Sequence, residues 1–173
     1  MLPVLVAIMF VEPELRSIEA RTNHHNYRVL PPLGREAPGF TAPASQGGKL
    51  TVPSIAKGKK ATIVSFWFYD CNICRVELPE IQRLYSELKK DGLEVVAVNI
   101  GDSAETVKAY QRNAGFSFPI ALADFSVASL YGVVSFPTNL ILDGQGRVID
   151  RFIGFDERGL TRALARQGLQ IPH

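Results

Sequence analysis

The sequence predicts an α/β fold, a mixed central sheet with helices on both faces, from three observations. A strand–helix–strand pattern occupies residues 62–100, a pair of strands joined by a glycine-rich connection occupies 138–153, and an amphipathic helix closes the chain over 157–166. The first unit is a βαβ half, which should be parallel and right-handed. The second is a β-hairpin half, which is antiparallel.

Each element has its own reason. Residues 62–68 (TIVSFWF) and 93–100 (LEVVAVNI) are almost continuously apolar and rich in β-branched residues, the pattern of strands buried on both faces. Between them Cys74, Leu78, Ile81, Tyr85 and Leu88 recur at steps of four and three, which gives a helix one buried stripe. Pro79 falls inside that helix and should kink it, and Asp91-Gly92 should end it, since glycine takes the left-handed cap freely. Helices are expected over 104–113 and 126–131. Strands are expected over 138–142 and 147–153, with Asp143-Gly144-Gln145-Gly146 between them. In the terminal helix Leu160, Ala163 and Leu164 should face inward.

The chain has 173 residues, 46% of them hydrophobic and 21% charged, with 19 Lys+Arg against 17 Asp+Glu. That length suits one domain, expected over 34–169, with a core large enough to fold without a metal or disulfide staple. A formal net charge of +2 without a basic cluster argues against nucleic acid as a partner. Residues 1–33 read as an apolar segment followed by a linker. The run at 2–11 (LPVLVAIMFV) is too short to span a membrane. It is open to two readings: a packed strand or disordered end, or the remnant of a signal or membrane anchor. The adjacent His24 and His25 have no third ligand nearby, so no metal site is expected.

Chemistry is concentrated at Cys71-Asn72-Ile73-Cys74, the only two cysteines, placed where a buried strand gives way to a helix. Cysteines three apart on a first helical turn can close a disulfide. Unpaired N–H groups of that turn and the helix dipole both favour a thiolate at Cys71. Cys71 is therefore the expected nucleophile, and Cys74, on the buried stripe, the resolving thiol. A static disulfide across so short a loop contributes little stability, and zinc lacks two further ligands. Glu77 lies roughly 60° from the centre of the buried stripe, beside Cys74, and Glu80 at about 120° should face water. A carboxylate at a half-buried edge has a raised pKa and can take the Cys74 proton; the alternative is an ordinary surface glutamate. Pro137, after Ser135-Phe136, reads by itself as a trans turn residue.

Taken in order and spacing, several segments resemble the thioredoxin-like superfamily, and within it the TlpA/ResA-like thiol-disulfide oxidoreductases of the AhpC/TSA-redoxin type. They are Ala37-Pro38-Gly39-Phe40, the strand ending Ser65-Phe66-Trp67, Cys71-Asn72-Ile73-Cys74-Arg75-Val76-Glu77-Leu78-Pro79, Gly132-Val133-Val134-Ser135-Phe136-Pro137-Thr138 and Leu142-Asp143-Gly144-Gln145-Gly146. The resemblance covers about residues 34–167. It implies a thioredoxin-like fold with a central insertion at 101–123, a cis Pro137 facing the cysteine pair, and Glu77 as the active-site glutamate. It also implies that the backbone at Phe136 pairs with the substrate chain like an added strand; Trp67, Asp70 and Pro137 are the other expected substrate-facing positions.

Several positions depart from the pattern, among them Asn72-Ile73, which lacks both the proline common in reductases and the histidine of strong oxidants. Asp70 replaces the usual aromatic residue before the first cysteine, and its charge should oppose the Cys71 thiolate. Ser65 stands where thioredoxin has a buried acid, which leaves proton handling to Glu77. Phe136 is bulky and should narrow the substrates admitted.

The resemblance implies a protein-disulfide reductase, working through a mixed disulfide on a protein substrate and recharged by an electron-donating dithiol protein. It needs no cofactor beyond the redox-active Cys71–Cys74 pair. Relatives of this kind often work outside the cytoplasm, in the periplasm or on a membrane anchor, in cytochrome c maturation and redox homeostasis. A peroxiredoxin-type peroxidase is the first alternative, although Phe68 stands where its hydroxyl residue would be. A copper carrier is the second, although the only histidines, His24, His25 and His173, lie near the ends.

Overall fold

The computed structural model describes residues 30–171; the apolar run at 2–11, His24, His25 and His173 lie outside the described residues. β3 (Ala61–Trp67) and β4 (Leu93–Ile100) are buried at every position, because both faces of each strand are covered. They pair in parallel across α1 (Asn72–Leu88). On its other side β3 pairs antiparallel with β6 (Thr138–Leu142), which pairs antiparallel with β7 (Val148–Ile153). A fifth strand, β5 (Ile120–Ala123), adds parallel to β4, giving the order β5-β4-β3-β6-β7. The mixed sheet, the βαβ half and the hairpin half stand as the sequence predicts.

Two cores follow from the alternation along β3. Ile63 and Trp67 point into a cluster with Cys74, Leu78, Ile81 and Leu84 of α1, Val107 of α2 (Ala104–Ala114), and Leu160 and Leu164 of α4 (Glu157–Arg166). Val64 and Phe66 point the other way, with Val96, Val98 and Leu140, onto Ala128 of α3 (Phe125–Leu130) and onto Tyr131. Helices thus cover both faces. An antiparallel ribbon, β1 (Phe40–Pro43) with β2 (Lys49–Val52), also packs on this second side through Ala42 and Val52.

The active helix is capped at both ends. Its Ncap is Cys71, whose sulfur accepts a hydrogen bond from the backbone N–H of Cys74 at 3.2 Å. The helix runs through Pro79 as one element to Leu88 and leaves by a 3-10 turn into Gly92, at φ 108°. A Cβ on Gly92 would stand 3.0 Å from Lys60 Cγ and 3.3 Å from Lys60 N. Gly92→Ala is therefore expected to cost about 1–2 kcal/mol, read as a lower urea midpoint at unchanged slope.

Candidate active site

The site is built at the C-terminal ends of β3 and β4. From Trp67 the chain makes a short loop, Phe68-Tyr69-Asp70, and enters α1 at Cys71, whose N–H donates to Phe68 O at 3.2 Å. Cys71 and Cys74 form a disulfide with Cα atoms 5.2 Å apart. Cys71 keeps 8% of its surface exposed and Cys74 none, so only the first sulfur can be reached from outside. Ile73 and Val76 are well exposed beside them.

That loop is held from two directions. The backbone N–H of Tyr69 donates to Asp102 Oδ2 at 2.7 Å, and the same oxygen accepts from Asn99 Nδ2 at 2.7 Å. The Arg75 guanidinium stands over the rings of Tyr69 and Tyr110, at 5.6 and 6.0 Å from their centroids. Asp102 and Tyr110 both come from the stretch 101–123, so this segment braces the cysteine loop. Neither residue is marked by local sequence, since each acts on a partner more than thirty positions away.

The Phe136–Pro137 peptide is cis. Pro137 is buried, its carbonyl accepting from Gly154 N–H at 2.8 Å, and Phe136 is half-buried. The rings of Phe136 and Phe68 meet edge to face with centroids 5.3 Å apart, which ties the proline loop to the cysteine loop. An open pocket of about 400 Å³ lies beside them, lined by Phe68, Ile100, Gly101, Asp102, Phe125 and Phe136. Asp70 is exposed next to Cys71.

Trp67 does not reach this surface. It is fully buried, because it alternates with Phe66 and turns into the core under α1. Any contact it makes with a substrate would be indirect.

Glu77 also differs from the position that the helical angle suggests. It is not at a half-buried edge but 1% exposed. Two neutral groups from the sheet receive it: Asn139 Nδ2 donates to Oε1 at 2.6 Å, and Ser65 Oγ donates to Oε2 at 3.4 Å. Ser65 and Asn139 are register partners on β3 and β6, so one rung of the sheet faces one side chain of the helix. Burial pushes the Glu77 carboxyl up to about 7 and outweighs the two hydrogen bonds that favour the anion. Glu80, expected to face water, is half-buried beneath Arg83, which bridges it to Glu87.

The arrangement can do dithiol chemistry: a reachable sulfur at a helix N-terminus, a second sulfur in the core, and one turn further a buried carboxylate that exchanges its proton near neutral pH. Among the described residues no cluster of three or more His, Cys, Asp or Glu side chains could hold a metal ion.

Comparison with known proteins places the chain among redox proteins. A family model described as AhpC/TSA matches residues 33–151. The thiol-disulfide oxidoreductase ResA of Bacillus anthracis is 31% identical over 123 residues, 70% of each chain. The thioredoxin-like protein YneN of Bacillus subtilis (strain 168) is 36% identical over 124 residues, 70% of this chain and 71% of its own. A thiol:disulfide interchange protein of the thioredoxin family from Chlorobium tepidum superposes with a TM-score of 0.67 at 24% identity, over 76% of this chain and 94% of that one.

Proposed function

Because the chain belongs to the AhpC/TSA family and is a TlpA/ResA-like thiol-disulfide oxidoreductase of thioredoxin fold, we propose that it runs in the reducing direction, with Cys71 as nucleophile, Cys74 as resolving thiol and Glu77 as proton acceptor. The observation that carries the roles is one reachable sulfur at the helix start beside a sealed one, with a buried carboxyl one helical turn beyond; the direction is supported by Asp70, exposed next to Cys71, whose charge opposes the thiolate.

The Cys71 thiolate attacks one sulfur of a substrate disulfide, forming a mixed disulfide and releasing the other substrate sulfur as a thiolate. The Cys74 N–H that already points at Cys71 Sγ stabilises that thiolate before attack. Cys74 then gives its proton to Glu77 and attacks Cys71 Sγ. The mixed disulfide breaks, the Cys71–Cys74 bond forms, and two electrons have passed to the substrate. A partner dithiol protein reduces the pair again.

The family's protein substrates and redox partners are general to it; the finer placement is part of the proposal. The substrate is a polypeptide disulfide seated along the backbone at Phe136, beside Asp70 and the buried Pro137, on a thioredoxin-like domain spanning 34–169. No cofactor is assigned to the reaction beyond the cysteine pair. Work outside the cytoplasm, on an N-terminal anchor and on cysteines such as those of maturing cytochromes c, is supported by the apolar run at 2–11 and the family resemblance. Among the described residues no helix is long and apolar enough to cross a membrane.

Equilibration of the Cys71–Cys74 couple in defined thiol–disulfide buffers tests the direction. The expected midpoint is near or below about −220 mV, toward thioredoxin at about −270 mV. A midpoint near about −120 mV, that of a strong oxidant, overturns it.

A further inference from the structure

Two groups from the sheet hydrogen-bond Glu77, and a third, Cys74, precedes it on its own helix. Asn139 comes from β6, Ser65 from β3, and Cys74 lies one turn back on α1. None of the three carries a charge in this structure, and no charged neighbour contributes to the glutamate's shift. What distinguishes Asn139 is that its two ends are treated unequally. Nδ2 donates to Glu77 Oε1 at 2.6 Å, while Oδ1 is buried with no partner among the described residues. Buried polar atoms nearly always find a partner, so an orphan asks for a cause.

A primary amide can exchange its ends by turning about its terminal torsion. Turned, Asn139 would present Oδ1 to Glu77 and carry Nδ2 to the place where Oδ1 now has no partner among the described residues. Oδ1 gives up no hydrogen bond by turning, so the contact with Glu77 decides between the two orientations. A carboxylate accepts from Nδ2 and repels Oδ1; a carboxyl O–H donates to Oδ1. A fixed donor at this position would serve only the anion and a fixed acceptor only the acid. In a redox cycle Glu77 must do both, taking the Cys74 proton as the disulfide closes and returning it when the pair is reduced.

The geometry points to Asn139 as a positioning residue for this proton transfer, an amide that donates through Nδ2 to ionised Glu77 and turns to accept through Oδ1 from its protonated form. This rests on the reading of Glu77 as proton acceptor and adds the residue that serves both of its states. It also fixes where the proton sits: on Oε1, the oxygen facing Asn139, with Oε2 left to Ser65.

The test follows the Asn139 side-chain amide and the Glu77 carboxyl carbon by NMR in the oxidised full chain, from about pH 5 to about pH 9, around the range where a buried carboxyl titrates. One Nδ2 proton is expected strongly downfield above the Glu77 midpoint and at an ordinary amide position below it. In Glu77→Gln that pH dependence is lost. Asn139→Leu removes both bonds, and because the charge-assisted one to the anion is the stronger, the carboxyl midpoint is expected to rise by about half a unit or more. It should also slow resolution of the mixed disulfide several-fold at neutral pH, with recovery as pH rises.

A downfield Nδ2 proton that persists unchanged through the Glu77 titration overturns the proposal, as does a midpoint that Asn139→Leu leaves in place. Should that variant fail to fold, the wild-type and Glu77→Gln titrations decide alone. Coupled titration together with a Glu77→Gln variant that resolves the mixed disulfide at the wild-type rate would uphold the turning amide and reject Glu77 as acceptor.

Discussion

Cys74→Ser is expected to stop the reaction at the mixed disulfide, whereas Cys71→Ser never reaches it. The asymmetry follows from burial. Cys71 keeps 8% of its surface and caps the helix, with the Cys74 N–H directed at its sulfur; Cys74 is sealed in the core with Trp67 and Leu78. A substrate disulfide can therefore meet only Cys71, and only Cys74 can displace the substrate from it. With Cys71→Ser, turnover falls on the order of a thousandfold or more, the usual cost of deleting a nucleophile. With Cys74→Ser, the first attack proceeds and a covalent adduct accumulates, seen by mass as one substrate chain per protein and released by added thiol. An adduct formed by the Cys71→Ser variant would contradict the assignment of the nucleophile.

Glu77→Gln carries the second large effect, and it has two readouts. In kinetics, the step that closes Cys71–Cys74 loses its base and slows on the order of a hundredfold at neutral pH. Its dependence on pH around 7, where the carboxyl exchanges its proton, flattens. In stability, the sign runs against the usual acidic residue. At low pH the carboxyl is protonated in both folded and unfolded chains, and its contribution is complete. As pH rises past the ordinary value of 4.5 the unfolded chain ionises first, and the folded chain loses ground until about 7 is passed. That gap amounts to about 3 kcal/mol. The glutamine variant does not ionise, so relative to the parent it gains about that much between acid and mildly alkaline pH. Urea unfolding at several pH values measures it. A parallel pH profile for the two chains would mean that the buried carboxyl is not shifted.

Much of this was legible beforehand for a physical reason. β3, β4 and α1 announce themselves through patterns contained within each segment: continuous β-branched runs for doubly covered strands, and a stripe at helical spacing for the crossover. The cysteine pair is legible because two local features, a strand end and a helix start, coincide on it. What escaped has the opposite character. β1, β2 and β5 are four residues each, too short for alternation to rise above chance, and β5 (IALA) takes its identity from pairing with β4. The helical angle placed Glu77 beside Cys74 but could not show that β3 and β6 would set Ser65 and Asn139 against it. That depends on the register of β6 against β3, and Asn139 lies 62 residues beyond Glu77 in the chain. Asn139 did leave a trace, as the one polar side chain after Thr138 in a five-residue strand buried throughout. The expected substrate-facing position of Trp67 gives way to burial: it alternates with Phe66, and both faces of that strand are covered.

That same Trp67 is the chain's single tryptophan, sealed in one cluster with Cys71 and Cys74 and with its Nε1 lacking a hydrogen-bond partner among the described residues. An excited indole can lose its energy by passing an electron to a neighbouring disulfide, a route that two thiols offer only weakly. Opening the Cys71–Cys74 bond is therefore expected to brighten the emission, and the apolar, unbonded setting to keep it toward the blue. One indole would then report the oxidation state of one cysteine pair without a label.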